Sequence, residues 1–451
     1  MKPRVPVPKR PPHERVKDFN EVVLGYSEKE ALEEASRCLQ CLEKPCASGC
    51  PVGIDIPRFI RFIRERMYEE AYRVIKEKCP IPAITGRVCP QEKQCEKTCT
   101  LAKFGQPIAI GALERFVADW AREESLEVDK PPKSCGHRRV AIIGSGPAGI
   151  VAAFDLSKMG HQVVVFEALH KPGGVLVYGI PEYRLPKKIV EEEIENLKAL
   201  GVDIETCVFV GKTTTIYDLL EEFDAIFIGT GAGVPKMLGI PGECLSYVYT
   251  ANEYLTRVNL MKAYLFPEHH TPICRGRVVA VIGGGNTAMD VARTAIRLGA
   301  ERTLVLYRRT RVEMPARADE VVNAEEEGVD FMFLVQPIEF VGSSKVEKIK
   351  LVKVAVEENN RVKFAPACEI MNLSVDMVVE AVGFYPNASI TATTPEIKTD
   401  QYGKIIVDAC GRTMLPRVYA GGDVVTGAGT VIEAMRWGRL VARTICNDLS
   451  N

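Results

Sequence analysis

The sequence has almost no net charge, since 58 lysines and arginines stand against 59 aspartates and glutamates. That balance excludes the strong basic excess of a nucleic-acid binder. No apolar run of about 18 residues occurs, so no membrane span is expected. The opening MKPRVPVPKRPPHER lacks the apolar centre of a signal peptide. It is basic and proline-rich, and is expected to lie as a solvated arm on the surface or on a partner. A cytoplasmic location follows. Histidine is scarce, with six residues, none between His13 and His137 and none in a recognisable catalytic setting. Low-complexity segments and long repeats are missing as well.

Cysteine, by contrast, is plentiful at fifteen residues. A disulfide scaffold would suit a short exported chain. At 451 residues this one suggests roughly three domains. Scattered cysteines such as Cys207, Cys244 and Cys274 are expected to be buried as small hydrophobes. Eight others fall between residues 38 and 99, and seven of these, all but Cys79, stand in two clusters.

Three textures succeed one another. Up to residue 136 the chain reads as short helices around cysteine-rich loops, and IPRFIRFIRERMYEEAYRVIKE shows helical spacing. SLEVDKPPKSCGH (125–137) reads as a linker. From His137 a strand, a glycine turn, a helix and a strand follow in order, and the series recurs from about Gly276. Two such units imply two nucleotide-binding domains of doubly wound α/β type. Beyond residue 375, VDMVVEAVGF and GKIIVD read as strands and VIEAMRWGRLVARTICNDL as a helix.

The first turn is Gly144, Ser145, Gly146, Pro147, Ala148, Gly149, with Glu167 ending the next strand. Glycines there let the backbone approach a pyrophosphate, and the acid can accept ribose hydroxyls. The second is Gly283, Gly284, Gly285, Asn286, Thr287, Ala288, and its next strand ends in Arg308 and Arg309 instead of an acid. Arginines at that place pair with a 2′-phosphate, so the first site is expected to hold FAD and the second NADP(H). Gly174, Arg184 and Gly231 are further expected cofactor contacts. Gly422 and Asp423 are expected to face the ribityl–phosphate part of FAD. Thr430 and Val431, at a helix start, are expected near the flavin ring.

The clustered cysteines read C-x2-C-x4-C-x3-C-P over Cys38, Cys41, Cys46 and Cys50, then C-P-x4-C-x3-C over Cys89, Cys95 and Cys99. The closing C-x3-C-P is that of the bacterial ferredoxin run, whose last cysteine serves a second cluster. Zinc cannot accept the single electrons that a flavin site must pass on. Iron–sulfur is therefore expected. Two [4Fe–4S] clusters need eight ligands. Cys79 could be the eighth, although KEKCPIPAI looks like a helix end packing into a core.

The motifs RCLQC…C…CP, GRVCPQEKQCEKTC, IAIGALERF, AIIGSGPAG, GGVLVYGIPEYRLP, VIGGGNTAMD, LYRRT…MPAR and YAGGD carry a resemblance over nearly the whole chain. The chain resembles the small subunit of NADPH-dependent glutamate synthase, the large subunit of NADH-dependent reduced ferredoxin:NADP oxidoreductase, and the N-terminal half of dihydropyrimidine dehydrogenase. The resemblance implies two [4Fe–4S] clusters with intertwined ligands. Cys38, Cys41, Cys46 and Cys99 hold one. Cys50, Cys89, Cys95 and an oxygen of Glu114 hold the other.

The expected fold is an N-terminal α-helical iron–sulfur domain (1–136) followed by two Rossmann-like domains, the second inserted in the first. FAD-binding parts span 137–260 and 375–451, and the NADP(H)-binding domain spans 261–374. The expected function is an NADPH-dependent flavin and iron–sulfur oxidoreductase passing single electrons through the clusters, with no acid–base catalytic residue. PVPKRPPHERVKDFNEVVLGY is closer to the ferredoxin:NADP type, whose partners are a smaller FAD/[2Fe–2S] subunit and ferredoxin and whose FAD bifurcates electrons. A glutamate synthase large subunit is the alternative partner, and a non-catalytic redox sensor or assembly module the alternative of another class. A hetero-oligomer is expected in either enzymatic case.

Overall fold

The structure, a computed structural model, describes residues 2–126, 129, 138–357, 362–364 and 370–450. The linker expected over 125–137 therefore falls mostly outside the described residues. The longer helices of the cysteine-rich region are α1 (Glu28–Ser36), α2 (Ile56–Arg64), α3 (Tyr68–Lys76), α4 (Pro82–Val88) and α5 (Ile110–Glu123). Ser27 and Glu30 form a capping box at the start of α1, and Asp55 caps α2. The periodic run from Ile56 to Glu77 is two helices, because the chain turns between them with Arg66 at φ +58°. Each buries one stripe: Ile56, Phe59, Ile60 and Ile63 on α2, and Tyr68, Ala71, Tyr72 and Ile75 on α3.

Two parallel five-stranded sheets follow. The first contains β1 (Arg139–Ile143), β2 (Gln162–Glu167), β3 (Asp203–Thr206) and β4 (Ala225–Ile228). The second contains β5 (Val248–Thr250), β6 (Val278–Ile282), β7 (Arg302–Tyr307), β8 (Val329–Phe333) and β9 (Met377–Glu380), in the order β5-β9-β6-β7-β8. A last strand, β10 (Val418–Ala420), returns to the first sheet and gives the order β10-β4-β1-β2-β3. The second unit is thus inserted between β4 and β10. A four-stranded antiparallel sheet between β8 and β9 covers one face of the second sheet, where Phe340, Ile349 and Leu351 pack with Ile282 and Leu306. No helix among the described residues is long and apolar enough to cross a membrane.

Two expectations need correction here. Boundaries at 260/261 and 374/375 cut through the second sheet. Strand β5 and helix α7 (Ala251–Asn259, numbered after α6, Pro147–Lys158) lie on one side, and β9 lies on the other. Strand β9 is fully buried and hydrogen-bonds β5 and β6, so VDMVVEAVGF belongs to the inserted unit. GKIIVD forms no strand and makes one isolated bridge, Ile405 to Thr399.

Helices α8 (Asn286–Arg297), α9 (Ala318–Glu326) and α10 (Val431–Ser450) complete the frame. Helix α10 crosses α6 so closely that a Cβ on Gly438 would lie 2.2 Å from the Ala148 carbonyl oxygen. The helical region and the first nucleotide unit share one apolar core, from Phe59 and Leu113 to Val151 and Met435.

The N-terminal arm lies on the surface but is pinned there more firmly than a solvated arm, with Val5 and Arg15 buried while Lys2, Pro3, Pro6, Pro11, His13 and Glu14 stay exposed. Val5 N–H donates to Glu34 Oε2 at 2.9 Å, and Lys9 bridges Val23. Arg15 is 1% exposed, with Nε on Glu327 Oε1 at 2.7 Å and Nη2 on Glu326 Oε2 at 2.9 Å. Glu327 also takes Arg293 and Arg297, and Arg293 reaches Glu320. Burial alone would make these charges costly, so mutual pairing is what keeps them ionised.

Candidate cofactor sites

The first glycine turn joins β1 to α6. A Cβ on Gly149 would lie 1.9 Å from the Gly144 carbonyl oxygen, so only glycine lets this turn close, whereas Gly146 faces open space. Glu167 ends β2 and accepts from Ser145 N–H at 3.0 Å, from the Ser145 hydroxyl and from Leu169 N–H at 2.9 Å. A carboxylate offers about four lone-pair positions, so one remains for a ribose hydroxyl. Gly174 lies against the turn, its Cβ position 2.7 Å from Gly146 Cα, and Gly422 abuts Ala148. Gly231, at φ +71°, follows Gly229 and Thr230, which meet Gly144 at the end of β4. Asp423 is pushed up to about 6 by burial, opposed by the Gly429 N–H. Thr430 opens α10, accepting from Glu433 N–H while Glu433 Oε2 accepts from Thr430 N–H at 2.9 Å. The residues present fit a bound dinucleotide.

Tyr178 was not legible in the sequence as a site residue. Its hydroxyl is pushed up to about 12, first by burial and then by the charges of Asp423 and Glu167. It therefore shares their cleft. Arg184, expected at a cofactor, is paired within the protein: its Nη1 donates to both oxygens of Asp290 on α8, at 2.8 and 2.6 Å. The guanidinium thereby ties the two nucleotide units together.

The second turn joins β6 to α8 and is crowded in the same manner. A Cβ on Gly283 would lie 2.4 Å from the Ala381 carbonyl oxygen, and one on Gly284 would strike the Tyr307 ring. Loop 313–317 covers this turn: Ala316 N–H donates to Gly284 O at 3.2 Å, and Arg317 N–H donates to Asn286 Oδ1 at 2.9 Å. Thr287 follows Asn286 in the first turn of α8. Arg308 is exposed just past β7, and Arg309 is half-buried beside the Tyr307 hydroxyl.

The cysteines divide into two groups. Cys38, Cys41, Cys46 and Cys99 ring a small cavity otherwise walled by Leu39, Ile56, Ile60, Leu101, Ile108 and Ile110. Burial, followed by the charges of Cys38 and Cys99, pushes the Cys46 thiol up to about 12. Cys50, Cys89 and Cys95 form the second group. Burial raises the Cys89 and Cys95 thiols well above the ordinary value, and each also feels Glu114 and Cys50. Glu114 is pushed up to about 7 by burial, opposed by the Thr85 hydroxyl that donates to it. Among the described residues no three such side chains gather tightly enough for a single metal ion. Buried thiols this hard to ionise fit a cationic iron–sulfur core, which compensates their thiolates.

Cys79 is fully buried at the end of α3, its N–H on Ile75 O and its Sγ 3.1 Å from Thr85 Oγ1. Its burial is what the core-packing reading expects, and it also lies near Glu114 and Cys50. Cys207, Cys244 and Cys274, expected inside, are exposed.

Residues 15–126 match the family described as dihydropyrimidine dehydrogenase domain II, 4Fe-4S cluster. Residues 138–438 match the pyridine nucleotide-disulphide oxidoreductase family. The glutamate synthase [NADPH] small chain of Azospirillum brasilense is 35% identical over 97% of this chain and 93% of its own. The NADP(+)-dependent formate dehydrogenase subunit beta of Moorella thermoacetica is 37% identical over 89% of this chain and 59% of its own. In fold, the nucleotide units are similar to FprA from Mycobacterium tuberculosis, solved in complex with NADPH (TM-score 0.60, 22% identity, 70% of this chain and 85% of that one). With an iron–sulfur domain ahead of two nucleotide turns, and the match running nearly end to end, the chain belongs to the glutamate synthase small-chain family of NADPH-dependent FAD and [4Fe–4S] oxidoreductases.

Proposed function

We propose that NADP(H) on the second glycine turn meets FAD on the first, and that two [4Fe–4S] clusters carry single electrons to or from a partner subunit. Cys38, Cys41, Cys46 and Cys99 hold one cluster, and Cys50, Cys89, Cys95 and Glu114 the other. The observation that carries this reading is the grouping of the cysteines: Cys99 joins the early set, while Cys50 joins the late one. Bound FAD supplies hydride exchange with the nicotinamide and releases electrons singly.

The chain's own residues bind and orient. The N–H groups opening α6 and α8 face pyrophosphates. Glu167 keeps one acceptor site for a ribose, and Arg308 with Arg309 takes the 2′-phosphate. Asp423 and Tyr178 line the first cleft, and the N-terminus of α10, capped by Thr430, points at the end of that cleft. Hydride transfer between stacked rings asks for position and not for an acid or base. No redox-sensor reading is needed, because both dinucleotide turns are built to bind.

As partners we favour a smaller FAD/[2Fe–2S] subunit and ferredoxin, with this FAD bifurcating, on the likeness of the opening PVPKRPPHERVKDFNEVVLGY. The near full-length match to glutamate synthase small chains favours a second reading, an amidotransferase large subunit. Leu39, Leu42 and Phe104 stand exposed beside the first cysteine group and give either partner an apolar landing. The cytoplasm is the proposed location. Identifying the subunit that co-elutes with the native protein decides between them, and a glutaminase-bearing partner removes the first.

NADPH-driven reduction of benzyl viologen tests the activity, and Arg308→Ala tests the nucleotide site. A charge-assisted hydrogen bond contributes roughly 1.5–3 kcal/mol, and exposure puts Arg308 at the low end. The expected outcome is about a tenfold lower kcat/KM for NADPH with NADH little changed. Equal loss for both nucleotides removes the 2′-phosphate assignment.

A further inference from the structure

We infer that Arg317 links dinucleotide binding on the second glycine turn to the second cysteine group, so that nucleotide occupancy and cluster redox state shift one another. The inference rests on the cofactor reading above. Loop 313–317 lies between the two sites and touches both. On one side it forms a wall of the nucleotide turn through Gly284 and Asn286. On the other, Arg317 Nη1 donates to Arg87 O at 3.0 Å and Nη2 to Gln91 Oε1 at 3.0 Å. Lys93 Nζ adds bonds to Pro315 O at 2.6 Å and Ala316 O at 3.0 Å.

Gln91 stands between Cys89 and Cys95 in the chain. Its Nε2 donates to Thr85 O and Gly86 O at 3.3 Å, and the Thr85 hydroxyl donates to Glu114. A continuous hydrogen-bonded line thus runs Asn286–Arg317–Gln91–Thr85–Glu114. It joins four stretches of chain: α8, loop 313–317, the segment from α4 to Gln91, and α5.

Arg317 also has a second partner at hand. Glu92 Oε2 is 3.5 Å from Arg317 Nε, and both Glu92 Oε1 and Arg317 Nε are buried without a hydrogen bond. Beside this contact opens a cavity of about 850 Å³ lined by Gln91, Glu92, Gly111 and Arg317, among others. The guanidinium can therefore exchange Gln91 for Glu92 without repacking a core. A dinucleotide pressing on loop 313–317 biases that choice. A cluster that changes charge between Cys89 and Cys95 biases it from the other end. Coupling of this kind is reciprocal by linkage. Arg317 is a positioning residue: it touches neither the reacting ring nor the iron.

The test uses the loaded protein and 3-aminopyridine adenine dinucleotide phosphate, an NADP analogue that cannot accept hydride. Its Kd is measured with the clusters oxidised and after dithionite reduction, and the cluster midpoint is read by EPR with and without it. The expected wild-type Kd ratio is at least about fivefold, where tenfold corresponds to about 59 mV for a one-electron couple. Arg317→Ala and Gln91→Met, cutting the line from opposite sides, should each bring the ratio to about one while still binding the analogue. A purely structural role would weaken binding equally in both redox states and leave the ratio intact. A wild-type ratio of one, or a ratio kept in both variants, overturns the link. Absence of binding or of a cluster signal in the wild type overturns the cofactor reading instead.

Discussion

Replacing Glu327 by glutamine tests the buried charge network that seals the second nucleotide unit. Glu327 Oε1 accepts from Arg15 Nε and Arg293 Nη2 at 2.7 and 2.8 Å, and Oε2 from Arg293 Nε and Arg297 Nη1 at 2.9 and 2.6 Å. All four acceptor positions are filled, and the side chain has no exposed surface. Burial pushes its carboxyl up, but the bonds from Arg293 and Arg297 outweigh that and lower it to about 2 from 4.5. At 1.36 kcal/mol per tenfold, that drop amounts to about 3 kcal/mol. An amide also turns two donors toward guanidinium donors, so Glu327→Gln should cost on the order of 3–5 kcal/mol.

The assay is hydrogen exchange at neutral pH over residues 286–327. Protection there should fall by about a hundredfold or more, because the local opening energy sets the exchange rate. The sign with pH is fixed. A carboxyl lowered in the folded state stabilises fully above its unfolded value near 4.5, and the contribution fades as pH falls toward about 2. Glu320 is likewise lowered to about 2 and fades over the same window. The wild-type advantage should therefore narrow only below about pH 4.5. A change of less than about threefold at pH 7, or an advantage that narrows between pH 8 and 6, would refute the reasoning.

Glu114→Ala should remove one cluster's EPR signal and about half the iron, while Cys79→Ser should keep both; the reverse pattern makes Cys79 the eighth ligand. Gly149→Ala, which places a Cβ 1.9 Å from the Gly144 carbonyl oxygen, should lose most of the flavin absorbance yet still bind the NADP analogue. Retained flavin would remove the FAD assignment of that turn.

Local patterns made most of the site legible. Each glycine turn is a strand, a turn and a helix within some thirty residues, so its geometry is written in adjacent positions. Cysteine spacing is equally local. What stayed hidden depends on distant chain. Strands β5 and β9 join the second sheet by pairing with β6 or each other across long loops, and nothing nearby marks their ownership. Arg184 looked like a flavin neighbour because its motif follows the first turn, yet its carboxylate is Asp290 on α8. Cys207 sits at φ +62° just past β3, so a turn, and not the apolar character of its thiol, decides its exposure. The arm's composition suggested solvation because most of its acidic partners lie well away in sequence, Glu34 and Glu96 for its start and Glu326 and Glu327 for Arg15.

The seam at Arg15 also has a place in time. Its guanidinium meets Glu327, 312 positions later. At about 5–20 residues per second of synthesis, that separation is roughly 15–60 s. Contacts of such span form late, since loop-closure entropy must be overcome first. The cysteines at 38 to 99 are therefore on hand, and the helices around them able to fold, well before the arm can lock against α9. Assembly can therefore start at the cysteine-rich end, and Arg15 locks only once Glu327 has been made, still ahead of β10 and α10.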